Sequence, residues 1–159
     1  MPQRVIIVRL ARPDDAPALK AILRDTFEST WRPNITAEAA RAHLESGRAG
    51  KFVDENGHAF LVAQVDGAVV GLAHWRDDFV HALHVRASHA RQGVGGQLMD
   101  RVEEEIARAA FAAVRLETDT FNTAARAFYA ARGYSEAALY PDEAWNSGLT
   151  TVLMVKPLA

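Results

Sequence analysis

Three glycines, Gly93, Gly95 and Gly96, follow Arg91 and Gln92 where an apolar strand pattern gives way to a long helical one. Glycine has no Cβ, so the backbone there turns tightly and comes close to a ligand. The first N–H groups of the following helix have no intrahelical acceptor and sit at the positive end of its dipole. They form an anion site whose natural guest is a phosphate or diphosphate. The same residues also suit a plain glycine-rich strand–helix turn, and the turn alone does not separate the two readings. Two nucleotide-binding motifs do not fit. A Walker loop needs Gly-Lys-Ser/Thr where Gly95, Gly96 and Gln97 stand, and a dinucleotide fingerprint needs a third glycine where Leu98 stands.

Groups able to move protons lie on both sides of this turn. His81 and His84 fall in the strand pattern of residues 79–86. Strand alternation puts them on opposite faces, with His81 on the face of Leu83 and Val85. His81 is read either as an ordinary strand histidine or as a base poised near neutral pH. Tyr129 beside Phe128 is, by residue type, a core aromatic near a helix end. His43, His58, His74 and His89 lack metal-ligand spacing, so no metal site is expected. Glu103, Glu104 and Glu105 read as a charge run on a solvated helix face. The chain has no cysteine, which excludes disulfides, thiolate metal ligands and a cysteine-bound acyl intermediate.

The elements that must position these groups follow from periodicity. Residues 5–10 form a strand. Pro13, Asp14 and Asp15 open a helix with Leu19, Ile22, Leu23 and Phe27 at helical spacing. Thr36 caps a second helix to residue 44. Residues 59–65 and 68–75 flank the hairpin turn Asp66-Gly67. The helix after the glycine turn carries an apolar stripe of Leu98, Val102, Ile106 and Ala110. A strand follows at residues 113–118. Asn122 caps a helix through Arg132, Gly133 ends it in a left-handed conformation, and residues 134–140 and 150–155 are closing strands. The order β-α-α-β-β-β-α-β-α-β-β predicts an α/β fold with a mixed sheet of about seven strands flanked by about four helices. The 159 residues are expected to form one domain, residues 1–159.

Apolar residues make up 49% and charged residues 24%, with a net charge of −2. That balance gives no footprint for nucleic acid or an acidic membrane surface. No apolar run is long enough to span a bilayer. Residues 1–10 do not follow the plan of a signal peptide, so a cytoplasmic protein is expected.

Gln92, Gly93, Val94, Gly95 and Gly96, with Leu98, resemble the signature Arg/Gln-x-x-Gly-x-Gly/Ala of the GNAT superfamily of N-acetyltransferases. Residues 122–134 resemble that family's second motif: Asn122, a helix, the pair Phe128-Tyr129 and the terminal Gly133-Tyr134. The order of elements agrees over nearly the whole chain. One position departs. The signature begins on Ala90, which cannot offer a side-chain contact to a diphosphate, and Arg91 is the neighbouring charge.

The resemblance implies an acetyl-coenzyme A-dependent N-acetyltransferase, with no metal and with a primary amine of a small molecule or peptide as acceptor. The backbone of Leu83 and Val85, flanking His84, would pair with the pantetheine arm as an added strand does. Arg91 and the amides of Gln92, Gly93, Val94, Gly95 and Gly96 would hold the diphosphate. Asn122 would hydrogen-bond the pantetheine region, with Phe128 close by, and Tyr129 would protonate the departing thiolate. His81-Ala82-Leu83 resembles the His-Ala-Leu of arylalkylamine N-acetyltransferases, whose histidine serves as base. Many relatives instead carry a Glu two residues earlier, here Phe79, and a water relay is the other route. Trp31, between the first two helices, would line the acceptor pocket or close the core. Transfer would be direct, in a ternary complex, with the acetyl oxygen stabilised by a backbone N–H near Leu83. Dimers are common in the family, so a homodimer is open. The rival functions are a catalytically silent acyl-coenzyme A sensor and, more weakly, a nucleotide-binding regulator.

Overall fold

The apolar strand patterns pair into one mixed sheet. The structure, a computed structural model, describes residues 4–142 and 147–158, so the first three residues of the N-terminal stretch discussed above lie outside it. In chain order the elements are β1 (Ile6–Leu10), α1 (Ala16–Thr26), α2 (Ala37–Ser46), α3 (Arg48–Asn56), β2 (Leu61–Val65), β3 (Ala68–Arg76), β4 (Phe79–Val85), α4 (Val94–Arg108), β5 (Ala113–Asp119), α5 (Thr123–Ala131), β6 (Ser135–Pro141) and β7 (Thr150–Pro157). The sheet order is β1-β2-β3-β4-β5-β7-β6. All neighbours are antiparallel except β4 and β5. The expected α/β fold with a seven-stranded mixed sheet is the fold observed.

Local signals placed most boundaries. The side chain of Thr36 accepts the Ala39 N–H at 3.0 Å, and that of Asn122 accepts the Ala125 N–H at 3.1 Å, both as helix caps. Asp66 and Gly67 take φ of 51° and 81°, the paired positive angles of a tight hairpin turn. Gly133 takes φ of 99° after α5.

Two cores flank the sheet. On one face Leu98, Met99, Val102 and Ile106 of α4 and Tyr129 of α5 pack on Leu61, Ala63, Val80, Val114 and Leu116. On the other, Leu19 and Ile22 of α1 and Val53 of α3 pack on Phe60, Val62, Leu72 and Ala82. Gly71 in β3 lets α4 seat closely, because a Cβ there would stand 2.9 Å from Val94 Cγ1.

Three sequence expectations are corrected. The helix α3 was not foreseen, because only Phe52 and Val53 mark an apolar side on a short, polar segment. Ala110 does not extend the stripe of α4: the helix stops at Arg108, and Ala110 is exposed with φ of 70°. Glu103 is not on a solvated face, being only 9% exposed. It falls between Met99 and Ile106 at helical spacing, so it points inward. There it accepts hydrogen bonds from Tyr134 Oη at 2.9 Å, Lys156 Nζ at 2.6 Å and Arg132 Nη2 at 3.2 Å. A buried carboxylate is tolerable only with such partners, and all three lie far along the chain.

Candidate active site

Gly93 caps α4 with φ of 87°, the left-handed conformation that a side chain disfavours. Gln97 N–H is bonded to Gly93 O at 3.1 Å, so the N–H groups of Val94, Gly95 and Gly96 precede the first intrahelical donor and face outward unpaired. Val94 itself is a core side chain, and only its backbone is available to a ligand. Gly95 and Gly96 are helical and need no unusual backbone angle. A Cβ at Gly95 would stand 3.6 Å from the Phe128 ring and 3.8 Å from Val85 Cγ2. The turn, the end of β4 and helix α5 therefore meet at one place. Arg91 has φ of 62° and is exposed.

Beside this junction the sheet opens. β4 and β5 pair only at Phe79 with Arg115 and Val80 with Leu116. Beyond them β4 runs on to Val85 and β5 to Asp119 without pairing. Arg86 N–H bonds Val70 O at 2.8 Å, tying the end of β4 to β3. By alternation the N–H and C=O groups of Leu83 and Val85 point the other way, into the gap. A parallel neighbour that departs after two residues leaves those groups for an extended ligand.

The register of β3 against β4 shifts between His74 and Trp75, with Ala82 and Val80 as their partners and His81 between them as an extra residue. This bulge overturns strand alternation. Leu83 and Val85 pack toward α4, whereas His81, Ala82 and His84 all line the cavity on the opposite face. The two histidines thus share a face, and His81 does not share that of Leu83 and Val85. A single added residue reverses every side chain beyond it.

That cavity has a volume of about 810 Å³. Its walls include Phe27 and Trp31 from a π-helical turn after α1, His43 of α2, Phe52 of α3, and Glu117 and Asp119 of β5. Trp31 tilts against His84 with ring centroids 5.5 Å apart, and its Nε1–H donates to Asp119 Oδ2 at 2.8 Å. Trp31 therefore lines the cavity rather than simply closing the core. Burial holds Asp119 above the usual carboxylate range; the Trp31 bond opposes that shift and the nearby Asp142 and Glu117 add to it. Glu117 accepts a hydrogen bond from Tyr140 Oη. Sequence reading missed Glu117 and Asp119, although their spacing of two in a strand was the signal for one shared face.

The histidines are held neutral. His84 Nδ1 pairs with Thr26 Oγ1 at 2.7 Å, and burial lowers the His84 pKa to about 4. His81 tilts against His74 and Phe79, with centroids 5.5 and 5.0 Å away. Its pKa is lowered by burial and by Arg76, against a smaller opposing effect of Glu117. A base must be neutral to accept a proton, and His81 is so near pH 7.

Tyr129 lies on the α4 side, 9% exposed, edge-on to Phe128 and Tyr134. It is thus a core aromatic by packing. Its hydroxyl makes no hydrogen bond among the described residues, and burial raises its pKa, which keeps the proton on. Asn122 commits its carboxamide oxygen to the cap of α5, leaving the amide nitrogen as the donor it can offer. No cluster of three or more metal-ligating side chains occurs among the described residues, and none of their helices is long and apolar enough to cross a membrane.

A mixed sheet that opens between two parallel strands thus lies beside a glycine-capped helix start. The chain belongs to the acetyltransferase (GNAT) family, whose model matches residues 17–134. It is 34% identical over 95 residues to the blasticidin-S acetyltransferase of Streptomyces morookaense, covering 60% of this chain and 68% of that protein. Among solved structures, a GCN5-related N-acetyltransferase from Rhodopseudomonas palustris superposes with a TM-score of 0.84 at 22% identity, over 99% of each chain. The PaiA N-acetyltransferase of Thermoplasma acidophilum, solved in complex with coenzyme A, gives a TM-score of 0.77 at 15% identity, over 97% of this chain and 99% of that one. At these identities the structural likeness is one of fold.

Proposed function

We propose that the protein transfers an acetyl group from acetyl-coenzyme A directly to a primary amine of a small molecule or peptide. The observation that carries this reading is the gap between β4 and β5. It lies beside the unpaired amides at the start of α4, and the residues of β4 that border it also wall a cavity of about 810 Å³ on the opposite face. Donor and acceptor would then meet across one strand without a covalent intermediate. His81 takes the proton of the acceptor ammonium, and the freed amine attacks the thioester carbonyl. The developing oxyanion is met by a backbone N–H of β4 near Leu83. The C–S bond breaks as the Tyr129 hydroxyl gives its proton to the departing sulfur, and the second proton of the attacking nitrogen is lost to water as the amide forms, from which the tyrosinate is reprotonated.

Thiol release from acetyl-coenzyme A, followed against a panel of small amines and peptide N-termini, tests this. At least one amine should raise the rate above hydrolysis, with the acetylamide recovered in equal amount. Coenzyme A binding with no acetyl transfer to any amine would leave a silent sensor. A thermal shift with ATP or NAD but none with coenzyme A would leave a nucleotide-binding regulator.

A further inference from the structure

Arg132, the last residue before Gly133, is drawn toward α4 by charge. Its Nε and Nη2 donate to Glu103 at 3.4 and 3.2 Å, and Nη2 also donates to Asp100 at 2.8 Å. These bonds occupy the Nε–Nη2 edge of the planar guanidinium. The remaining amino group, Nη1, carries two N–H donors and makes no hydrogen bond among the described residues. It lies 3.8 Å from where a Cβ of Gly96 would stand. Gly96 is the third residue of α4, and its own N–H is one of the unpaired donors of the anion cradle. The guanidinium also sits 5.9 Å from the centre of the Phe128 ring. Phe128 in turn borders Gly95.

Neutralising Glu103 does not require this arginine. Lys156 Nζ already stands 2.6 Å from Glu103 Oε1. What the cradle lacks is a side-chain donor at its first position, where Ala90 stands. A guanidinium locked on one edge and open at Nη1 offers fixed positive charge at that turn from a different element.

We propose that Arg132 contacts the diphosphate of coenzyme A through Nη1, in place of the donor missing at Ala90. This rests on the reading that residues 92–96 cradle that diphosphate. An arginine fixed by neighbouring carboxylates loses little rotamer freedom on binding, and charge-assisted bonds to phosphate are among the stronger ones.

Calorimetric titration of wild type, Arg132→Gln and Glu103→Gln with coenzyme A, 3′-dephospho-coenzyme A and pantetheine tests the contact. Arg132→Gln should weaken both nucleotide ligands about tenfold or more and flatten the salt dependence of Kd, with pantetheine affinity unchanged. Glu103→Gln disturbs the same ion-pair network but keeps the guanidinium, and should bind both nucleotide ligands within about threefold of wild type. Equal coenzyme A affinity in Arg132→Gln and wild type would overturn the inference, as would a loss confined to coenzyme A with its 3′-phosphate. A parallel loss of pantetheine affinity, or an equal loss in Glu103→Gln, would make Arg132 a structural clamp only and overturn it too. If wild type itself binds no coenzyme A, it is the acetyltransferase reading that fails.

Discussion

His81 and Tyr129 divide the proposed chemistry between two faces of the sheet, and each can be removed without emptying a core. His81 lines the open cavity, so His81→Ala should leave the fold intact. In the wild type kcat/KM should rise with pH through an apparent pKa below the ordinary 6.5 or so of histidine, because burial disfavours the imidazolium. The variant should lose that limb and about 10²-fold or more in kcat/KM. A limb that survives assigns the proton to a water relay. Tyr129→Phe removes one oxygen whose loss strands no hydrogen-bond partner. Urea stability should barely move, coenzyme A affinity should be unchanged and kcat should fall by about 10²-fold. That is the low end for a general acid, since a thiolate already leaves tolerably near neutral pH. Full activity in this variant would return Tyr129 to the core and nothing more.

At the scale of elements, the glycine turn and the bulge do different work. Only Gly93 needs its residue type for the backbone, with φ of 87°. Gly93→Ala should lower stability by about 1–2 kcal/mol, read as a fall in the urea midpoint. Gly95→Ala places a methyl at ordinary contact distance from Phe128 and Val85, so its midpoint should match wild type. Gly95→Val should also fold and yet lose coenzyme A affinity, because a branched side chain holds the ligand off the amides of Gly95 and Gly96. If both Gly95 variants bind as wild type does, no ligand lies against the backbone at Gly95. The bulge has the opposite character. It strains no single residue, and its effect is to bring His81 and His84 to one cavity.

The molecule as a whole carries an acid-sensitive side. His74 and His84, packed between the sheet and the helices of the cavity face, both have pKa values lowered to about 4, chiefly by burial. In the unfolded chain they titrate near 6.5. Between those values the unfolded state binds more protons than the folded one, so protonation favours unfolding. Stability should be full above about pH 6.5 and fall steadily toward pH 4. A double variant His74→Phe, His84→Gln should flatten that decline in urea titrations taken across the window. An unchanged slope would place the sensitivity elsewhere.

The elements other than α3 were legible in the residues. Caps at Thr36 and Asn122, terminators at Gly133 and Asp66-Gly67, and the apolar periods of β2, β3 and α4 act within about four residues of their own positions, and the sequence states them directly. So did the two glycine and Asn motifs that point to the family. The faces and partners did not follow from it. Whether His81 meets His84 depends on one extra residue in the pairing of β3 with β4. Whether Glu103 is solvated depends on Arg132, Tyr134 and Lys156, which reach it from 29 to 53 positions away. The gap that would admit pantetheine exists because β4 leaves β5 after two pairs. Local order is set by backbone sterics and nearest neighbours; the cavity, its neutral histidines and its carboxylates arise only when distant segments are packed together and water is removed from between them.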